Sequence, residues 1–122
     1  MILGVKAMAK VLAVHELTLR PGAAGREEEF ERLVAEEVRP AYKAGAGVEA
    51  RLLKGVRGDR AGGYTLLLEF PSAEAFARFF PIRPGPATAE TAKALREHAA
   101  LIARYESFVR SRRVTDYLET AP

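Results

Sequence analysis

Two glutamates and two arginines stand where their side chains could do chemistry together. Glu16 and Glu69 fall in predicted β-strands that should be neighbours, and period-two alternation places both carboxylates on one sheet face, with Arg51 on the next strand. A pair of carboxylates can raise the pKa of one member for proton transfer, and the same group could bind a polar ligand. Glu16 and Glu69 are therefore candidate catalytic residues. Arg51 and Arg113 are candidate ligand-binding residues, unless they instead close a dimer through a salt-bridge network.

The sequence holds two histidines, which are predicted to differ in role. Alternation places His15 on the helix-covered side of its strand, where a buried neutral imidazole with a backbone or carboxylate partner is expected. His98 falls beside the apolar stripe of a predicted helix, near Leu95 and Ile102, and is a third catalytic candidate because it could act as a general base. The chain has no cysteine and no H-x-x-x-H spacing, so the sequence predicts neither a metal site nor a bound cofactor.

Composition indicates a single small domain. The chain has 122 residues and a net charge of +3, and it is 48% hydrophobic and 29% charged, which is typical of one globular domain. Its basic residues are scattered among carboxylates, which argues against a dedicated nucleic-acid binder, and its apolar runs are too short to cross a membrane. No targeting pattern is recognisable, so we expect a flexible N-terminal extension over 1–10, one domain over 11–122 and a cytoplasmic location. The absence of Asn, Gln and Trp fits a thermophilic source.

Apolar periodicity predicts the element order β-α-β-β-α-β. Strand-like alternation and helix-like spacing are separated by breaks that contain glycine and proline. The predicted elements are a strand over 11–20, a helix over 25–38 that Pro40 should end or kink, a hairpin of strands over 48–57 and 64–70, a short helix capped by Ser72, a helix over 88–105 and a strand over 109–119. Split β-α-β units form an antiparallel sheet in the order 4-1-3-2 with both helices on one face. The predicted fold class is therefore α+β.

The sheet face opposite the helices has an unusual mixture of side chains. Alternation puts apolar residues on it together with charged ones, namely Leu12, Val14, Glu16, Glu49, Arg51, Leu53, Thr65, Leu67 and Glu69. A solvated face would be mainly polar, and an apolar patch of this kind is normally covered. Since 122 residues leave no further layer, we expect a second copy to cover it, as a symmetric homodimer whose sheets enclose a barrel. The alternative is that these aliphatic side chains are tolerated at the surface.

Three segments of the chain resemble a known superfamily. They are HELTLRPG at 15–22, EEEFERLV at 27–34 and LLLEFPSAEAF at 66–76. They resemble the dimeric α+β barrel superfamily of ferredoxin-like domains, which includes antibiotic-biosynthesis monooxygenases, NIPSNAP-like proteins and stress-responsive barrel proteins. KGVRGDRAGGY at 54–64 and VTDYLE at 114–119 look like a bacterial subgroup without an established reaction. The resemblance implies a ferredoxin-like fold and a homodimer, and because some relatives oxidise an electron-rich substrate without a cofactor, it leaves catalysis open.

These observations lead to one expected function and two alternatives. We expect a homodimer that binds a small molecule in the barrel interior, with a cofactor-independent monooxygenase or isomerase as its enzymatic form. The pocket should lie between the polar-aliphatic sheet face and the helices after the third strand, with PIRPGP at 81–86 as its rim. The first alternative is a non-enzymatic dimer with a filled interior, which an internal cavity large enough for a ligand would argue against. The second is an RNA-recognition module, which the sequence disfavours because Tyr64 is turned toward the helices and away from the stacking face.

Overall fold

In the computed structural model, which describes residues 8–80 and 88–120, the chain forms one four-stranded antiparallel sheet. The strands are β1 (Val11–Leu19), β2 (Glu49–Lys54), β3 (Tyr64–Phe70) and β4 (Val109–Leu118). Their order across the sheet is β2-β3-β1-β4, which is the predicted order counted from the other edge. β1 and β3 are therefore the central pair, and each also pairs with an outer strand.

Helices connect the strands and complete the predicted α+β fold class. They are α1 (Glu27–Leu33), a π-helical turn (Val34–Val38), α2 (Arg39–Ala46), α3 (Ala73–Ala77), α4 (Ala89–Glu97) and α5 (Ala99–Phe108). A short 3₁₀ turn, Pro21–Ala23, lies between β1 and α1. Ser72 caps α3 as predicted, because its Oγ accepts a hydrogen bond from the backbone N–H of Ala75 at 3.0 Å.

The first long helix does not end at Pro40, where the sequence indicated a break or a kink. It continues through α2 as far as Ala46, and Pro40 occupies the second position of that helix. Proline cannot donate a backbone hydrogen bond, and its ring crowds the carbonyl four residues earlier. The π-helical turn Val34–Val38 lies where that crowding would occur, and its wider i to i+5 spacing accommodates the ring. The helix ends instead at Gly47, whose φ of 65° is the left-handed conformation that glycine adopts without strain.

The second long helix, predicted as one element over 88–105, is divided at His98. The backbone of His98 has φ −112° and ψ 21°, so it ends α4 and begins α5. α4 starts at the Thr88 cap, whose Oγ1 accepts a hydrogen bond from the N–H of Thr91, but α4 has no buried side chain. This helix therefore covers the molecule without filling the space beneath it.

The helix-facing side of the sheet forms the hydrophobic core. Alternate residues of the two central strands are buried there, namely Val11, Ala13, Leu17, Tyr64, Leu66, Leu68 and Phe70. Phe30 of α1 has 0% of its surface exposed, and its ring centroid lies 5.4–5.8 Å from those of Tyr64, Tyr105 and Phe108. Aromatic rings at such separations attract one another beyond the area that they bury. The predicted inward positions of both strands are thus confirmed, and Phe30 joins α1 and α5 to the sheet.

The opposite side of the sheet, which we call the open face, keeps much of its apolar surface exposed. Leu12, Val14 and Leu67 at its centre are only half-buried. Toward the two edges, Leu53 is 46% exposed and Tyr117 is 54% exposed. The open face therefore has the mixed, incompletely covered character that alternation predicts.

Candidate functional site

Glu69 lies on the open face inside a small cluster of charges. Its side chain is 25% exposed, and its carboxylate lies 3.3 Å from Nη2 of Arg51 on β2 and 3.4 Å from Nζ of Lys10. Lys10 closes the predicted N-terminal extension and is tied to the end of β4, because its carbonyl accepts a hydrogen bond from Glu119. Glu69 is thus paired with two cations on the open face.

Glu16 lies on the same face but in a different group. Its neighbours across the sheet are Thr65 on β3 and Arg113 on β4, whereas Glu69 is opposite Leu12. Four residues of β1 therefore separate the two carboxylates, which is about 13 Å along a strand. At that distance they cannot share a proton, so the structure does not bring Glu16 and Glu69 together as a carboxylate pair.

An arginine from the β2–β3 loop holds the end of the sheet near Glu16. Nη2 of Arg60 donates hydrogen bonds to the carbonyls of Leu17 at 3.0 Å and Tyr64 at 2.8 Å, and its Nε lies 3.7 Å from the Glu16 carboxylate. The loop closes tightly around this arginine, because a Cβ at Gly55 would lie 2.0 Å from the Arg60 carbonyl oxygen. The contacts of Glu16 are therefore those of a structural ion pair.

A cavity of about 500 Å³ lies on the other side of the sheet, under the helices. Its walls are mainly apolar and include Val38, Leu66, Phe70, Phe79, Leu101 and Ile102. The predicted pocket lies against the polar-aliphatic face and stays a prediction, so this cavity is a different site, and the predicted rim at 81–86 lies outside the described residues. The space exists because α4 spans it without a buried side chain. Its volume lies within the usual range for small-molecule sites.

His15, Arg112 and Glu106 form a polar end of this cavity. His15 is paired with Val114 on β4, and Arg112 is paired with Leu17, so His15 and Arg112 are diagonal neighbours on one face. Burial lowers the pKa of the His15 imidazole, the Arg112 guanidinium lowers it further, and the Asp116 carboxylate raises it. Arg112 is held by an ion pair with Glu106 of α5. His15 is therefore a neutral base beside a fixed cation at neutral pH.

Two tyrosines from the helices complete the polar end. Burial raises the pKa of both Tyr42 and Tyr105, and the nearby Arg112 opposes that rise in each. The Tyr105 hydroxyl is buried and has no hydrogen-bond partner within 8–80 and 88–120. Both tyrosines therefore keep their protons at neutral pH and are potential donors.

His98 is the one predicted catalytic residue that lines the cavity. It is half-buried at the α4–α5 junction, whereas Glu16, Glu69, Arg51 and Arg113 do not line it. The sequence missed Arg112, Tyr42 and Tyr105, and it assigned His15 to the core. Strand alternation could have identified His15 as a lining residue, since it places this side chain under the helices. Identifying Arg112 also required the β1–β4 register.

No group of three His, Asp or Glu side chains within the described ranges is placed to hold a metal ion. None of the helices there is both long and apolar enough to span a membrane.

The unpaired Tyr105 hydroxyl leads to a stability prediction. Tyr105→Phe should leave the free energy of unfolding unchanged or raise it by about 1 kcal/mol, because it removes a buried polar group that has no partner. Tyr64→Phe is the matched control and should lower that free energy by about 1 kcal/mol, since the Tyr64 hydroxyl donates to the Glu31 carboxylate. Urea unfolding measures both, and a loss of stability in Tyr105→Phe equal to that in Tyr64→Phe would contradict the unpaired state.

The lowered pKa of His15 leads to a pH prediction. The folded chain binds this proton more weakly than the unfolded chain, so the free energy of unfolding should fall as pH decreases through 6.5 toward the lowered pKa. Above the unfolded value of 6.5 the contribution is fully present. Urea unfolding between about pH 8 and about pH 5 measures it, and His15→Leu should flatten the profile. An NMR titration that places the His15 imidazole at or above its ordinary pKa would refute this.

The sheet order and the helices on one face define the ferredoxin-like α+β fold. A NIPSNAP-like domain protein from Burkholderia xenovorans shares it, with a TM-score of 0.60, 14% identity and coverage of 93% of this chain and 88% of that one. A candidate antibiotic biosynthesis monooxygenase from Bordetella bronchiseptica has a TM-score of 0.55 and 18% identity, with 93% and 99% covered. A dimeric protein of unknown function with a ferredoxin-like fold from Bacteroides fragilis has a TM-score of 0.51 and 14% identity, with 90% and 96% covered.

Neither the family models nor the curated proteins include a match to this chain. The expected ferredoxin-like fold is thus confirmed by structural likeness, and at these identities the likeness concerns the fold alone.

Proposed function

We propose that this protein binds a small, largely apolar molecule in the cavity between its sheet and its helices. The observation that carries this proposal is a cavity of about 500 Å³ whose lining is mainly apolar and includes polar groups from α4 and from the end at His15 and Arg112. Ligand sites typically combine such walls with a few polar groups that fix orientation. The alternative of a non-enzymatic dimer with a filled interior stays open, because it concerns the space between the two sheets and this cavity lies on the other side of the sheet.

As an enzyme, the protein would be a cofactor-independent monooxygenase or isomerase that acts on the molecule in this cavity. Both reactions can begin with removal of a proton from the substrate, and the neutral imidazole of His15 can accept one. His98 is a second candidate base on the cavity wall. The likeness to a candidate antibiotic biosynthesis monooxygenase supports the first of the two reactions.

We further propose that the protein acts as a homodimer joined through the open face. Leu12, Val14 and Leu67 would be covered by the same surface of a second copy. Support also comes from the Bacteroides fragilis protein of the same fold, which is described as dimeric. Glu16, Glu69, Arg51 and Arg113 would then line the space between the two sheets, where they could bind a second polar ligand or pair across the interface.

An RNA-binding role has little support from the sheet. The open-face positions of β1 and β3 hold aliphatic, hydroxyl and carboxylate side chains, from Leu12 to Thr18 and from Thr65 to Glu69. Base stacking in RNA-recognition sheets needs aromatic rings at such central positions. Tyr117 is aromatic and exposed, but it lies on the edge strand β4.

A cavity-filling variant tests the binding proposal. Gly45 of α2 lines the cavity one helical turn after Ala41, and a Cβ added to it meets no heavy atom within 4 Å. Gly45→Phe should therefore obstruct the cavity while the protein still folds, since phenylalanine is a better helix residue than glycine by about 0.5 kcal/mol. Native mass spectrometry of the wild type should show a bound small molecule, and compounds from an apolar panel should raise its Tm. Gly45→Phe should show neither effect.

Ala44→Phe is the matched control, because Ala44 is exposed on the same helix and does not line the cavity. It should bind like the wild type. If Gly45→Phe retains the ligand responses, the site lies elsewhere, and if no compound distinguishes the wild type from Gly45→Phe, the binding proposal fails.

A further inference from the structure

Arg112 is the charge that dominates the polar end of the cavity. Its charge helps to lower the pKa of His15 and opposes the rise that burial causes in the pKa of Tyr42 and Tyr105. Its guanidinium carbon lies 5.8 Å from the ring centroid of Tyr105, and Glu106 pairs with it from α5. An arginine keeps its charge at all physiological pH values, so this end of the cavity contains a permanent cation.

The groups around Arg112 differ in what they can do with a proton. Tyr42 and Tyr105 remain protonated at neutral pH and can donate a hydrogen bond, whereas neutral His15 has a free ring nitrogen that can accept a proton. A ligand oxygen that reaches this end meets one cation, hydrogen-bond donors and one base. An arrangement of fixed donors and charge of this kind stabilises a negative oxygen.

We propose that the cavity binds its ligand as an oxyanion: a weakly acidic molecule of the phenol or enol class, with its ionised oxygen against Arg112. This inference deepens the proposed function and rests on it. The O–H bond of the ligand breaks, the proton passes to the imidazole of His15 and from there to solvent, and the electron pair stays on the oxygen. Arg112 is thereby the residue that selects the ionised form.

The existing ion pair leaves room for this role. A guanidinium has five N–H donors, so Arg112 can keep a contact to Glu106 while it binds a ligand oxygen. The Glu106 side chain is also 41% exposed and can be hydrated when the ligand takes its place. Other titratable groups that act on His15 or line the cavity are Asp116 on β4, His98 at the start of α5, and Glu90, Lys93 and Glu97 on α4. Asp116 favours the protonated imidazole that receives the proton.

A pair of matched probes tests the inference. 4-Nitrophenol ionises to a phenolate with its own visible absorption band, and 4-nitroanisole is the same molecule with the acidic proton replaced by a methyl group. With the wild type, bound 4-nitrophenol should have its pKa lowered by at least about one unit, which means about tenfold tighter binding of the phenolate than of the phenol. 4-Nitroanisole should bind at least about tenfold more weakly than 4-nitrophenol at neutral pH.

Variants of β4 identify the residue responsible. Arg112→Gln should abolish the pKa shift of the bound probe, whereas Arg112→Lys keeps a charge and should retain part of the shift. Arg110→Gln removes the same charge from the same strand at an exposed position that does not line the cavity, and it should leave the shift unchanged. Circular dichroism checks that each variant is folded, and the wild-type measurement is decisive even where a variant is not.

Equal affinity for both probes with no pKa shift overturns the inference and leaves the binding proposal intact. A shift that survives in folded Arg112→Gln also overturns it. Binding of neither probe overturns it as well, and the proposed function is then judged by the separate comparison of Gly45→Phe with the wild type.

Discussion

Leu67→Glu is expected to convert the proposed dimer into a folded monomer. Leu67 lies on β3 at the centre of the open face, between Val14 on β1 and Arg51 on β2. In the proposed dimer each copy would bury one new carboxylate against apolar side chains, which costs several kcal/mol per unpaired charge. A loss of about 3 kcal/mol already raises the dissociation constant more than a hundredfold. Since Leu67 is only half-buried in the single chain, the fold itself should survive.

Sedimentation velocity at micromolar concentration measures this effect. The wild type should sediment as a dimer and Leu67→Glu as a monomer with the same circular dichroism spectrum. Ala44→Glu adds the same charge at an exposed helix position and should remain a dimer. A monomeric wild type would remove the homodimer from the proposed function, and a dimeric Leu67→Glu would show that the interface is not the open face.

The fold was predictable because the central strand β3 obeys a local rule without exception. β3 has the predicted bounds, 64–70, and its side chains alternate between buried and half-buried along its whole length. Strand geometry places successive side chains on opposite faces of the sheet, so the face of each residue can be assigned before any partner strand is known. The element order then limits the sheet to few topologies, and the structure has the expected one.

Two helix boundaries differ from those that local rules predicted, because packing outweighed them. Pro40 lies inside a helix because the residues that follow it, Tyr42 and Ala46, pack against the core and favour continued helix. The π-helical turn accommodates the proline ring, and no local pattern in the sequence predicts this turn. At His98 the opposite occurred: helical spacing continues through the residue, but the backbone turns there.

The candidate site was only partly predictable, because it depends on register and on empty space. Strand alternation correctly put Glu16 and Glu69 on one face, but it does not show that they are offset by four positions along the strand. The same limitation hid Arg112, which becomes a neighbour of His15 only in the β1–β4 register. The cavity remains because α4 places no buried side chain in it. A sequence pattern indicates which residues face inward, but it does not indicate whether their side chains fill the space between the elements.

Phe30→Ala is expected to be the most destabilising single substitution outside the open face. The Phe30 ring is 0% exposed and contacts Tyr64 of the sheet together with Tyr105 and Phe108 of α5. Truncating a fully buried phenylalanine costs about 3–5 kcal/mol through lost burial and the void that remains. That is a large part of the stability of a typical domain, about 5–15 kcal/mol.

Urea unfolding should show this loss as a lower midpoint with an unchanged slope. Phe30→Leu is the matched control, because it keeps an apolar side chain of similar reach and should cost less than about 1.5 kcal/mol. If Phe30→Ala does not fold, Phe30→Leu still tests the packing, since it should be measurably destabilised. The Tyr105 ring packs on Phe30 and lines the cavity, so Phe30→Leu should also weaken ligand binding. Unchanged stability in both variants would mean that Phe30 does not hold α1 and α5 to the sheet, and the wall of the cavity would lose its support.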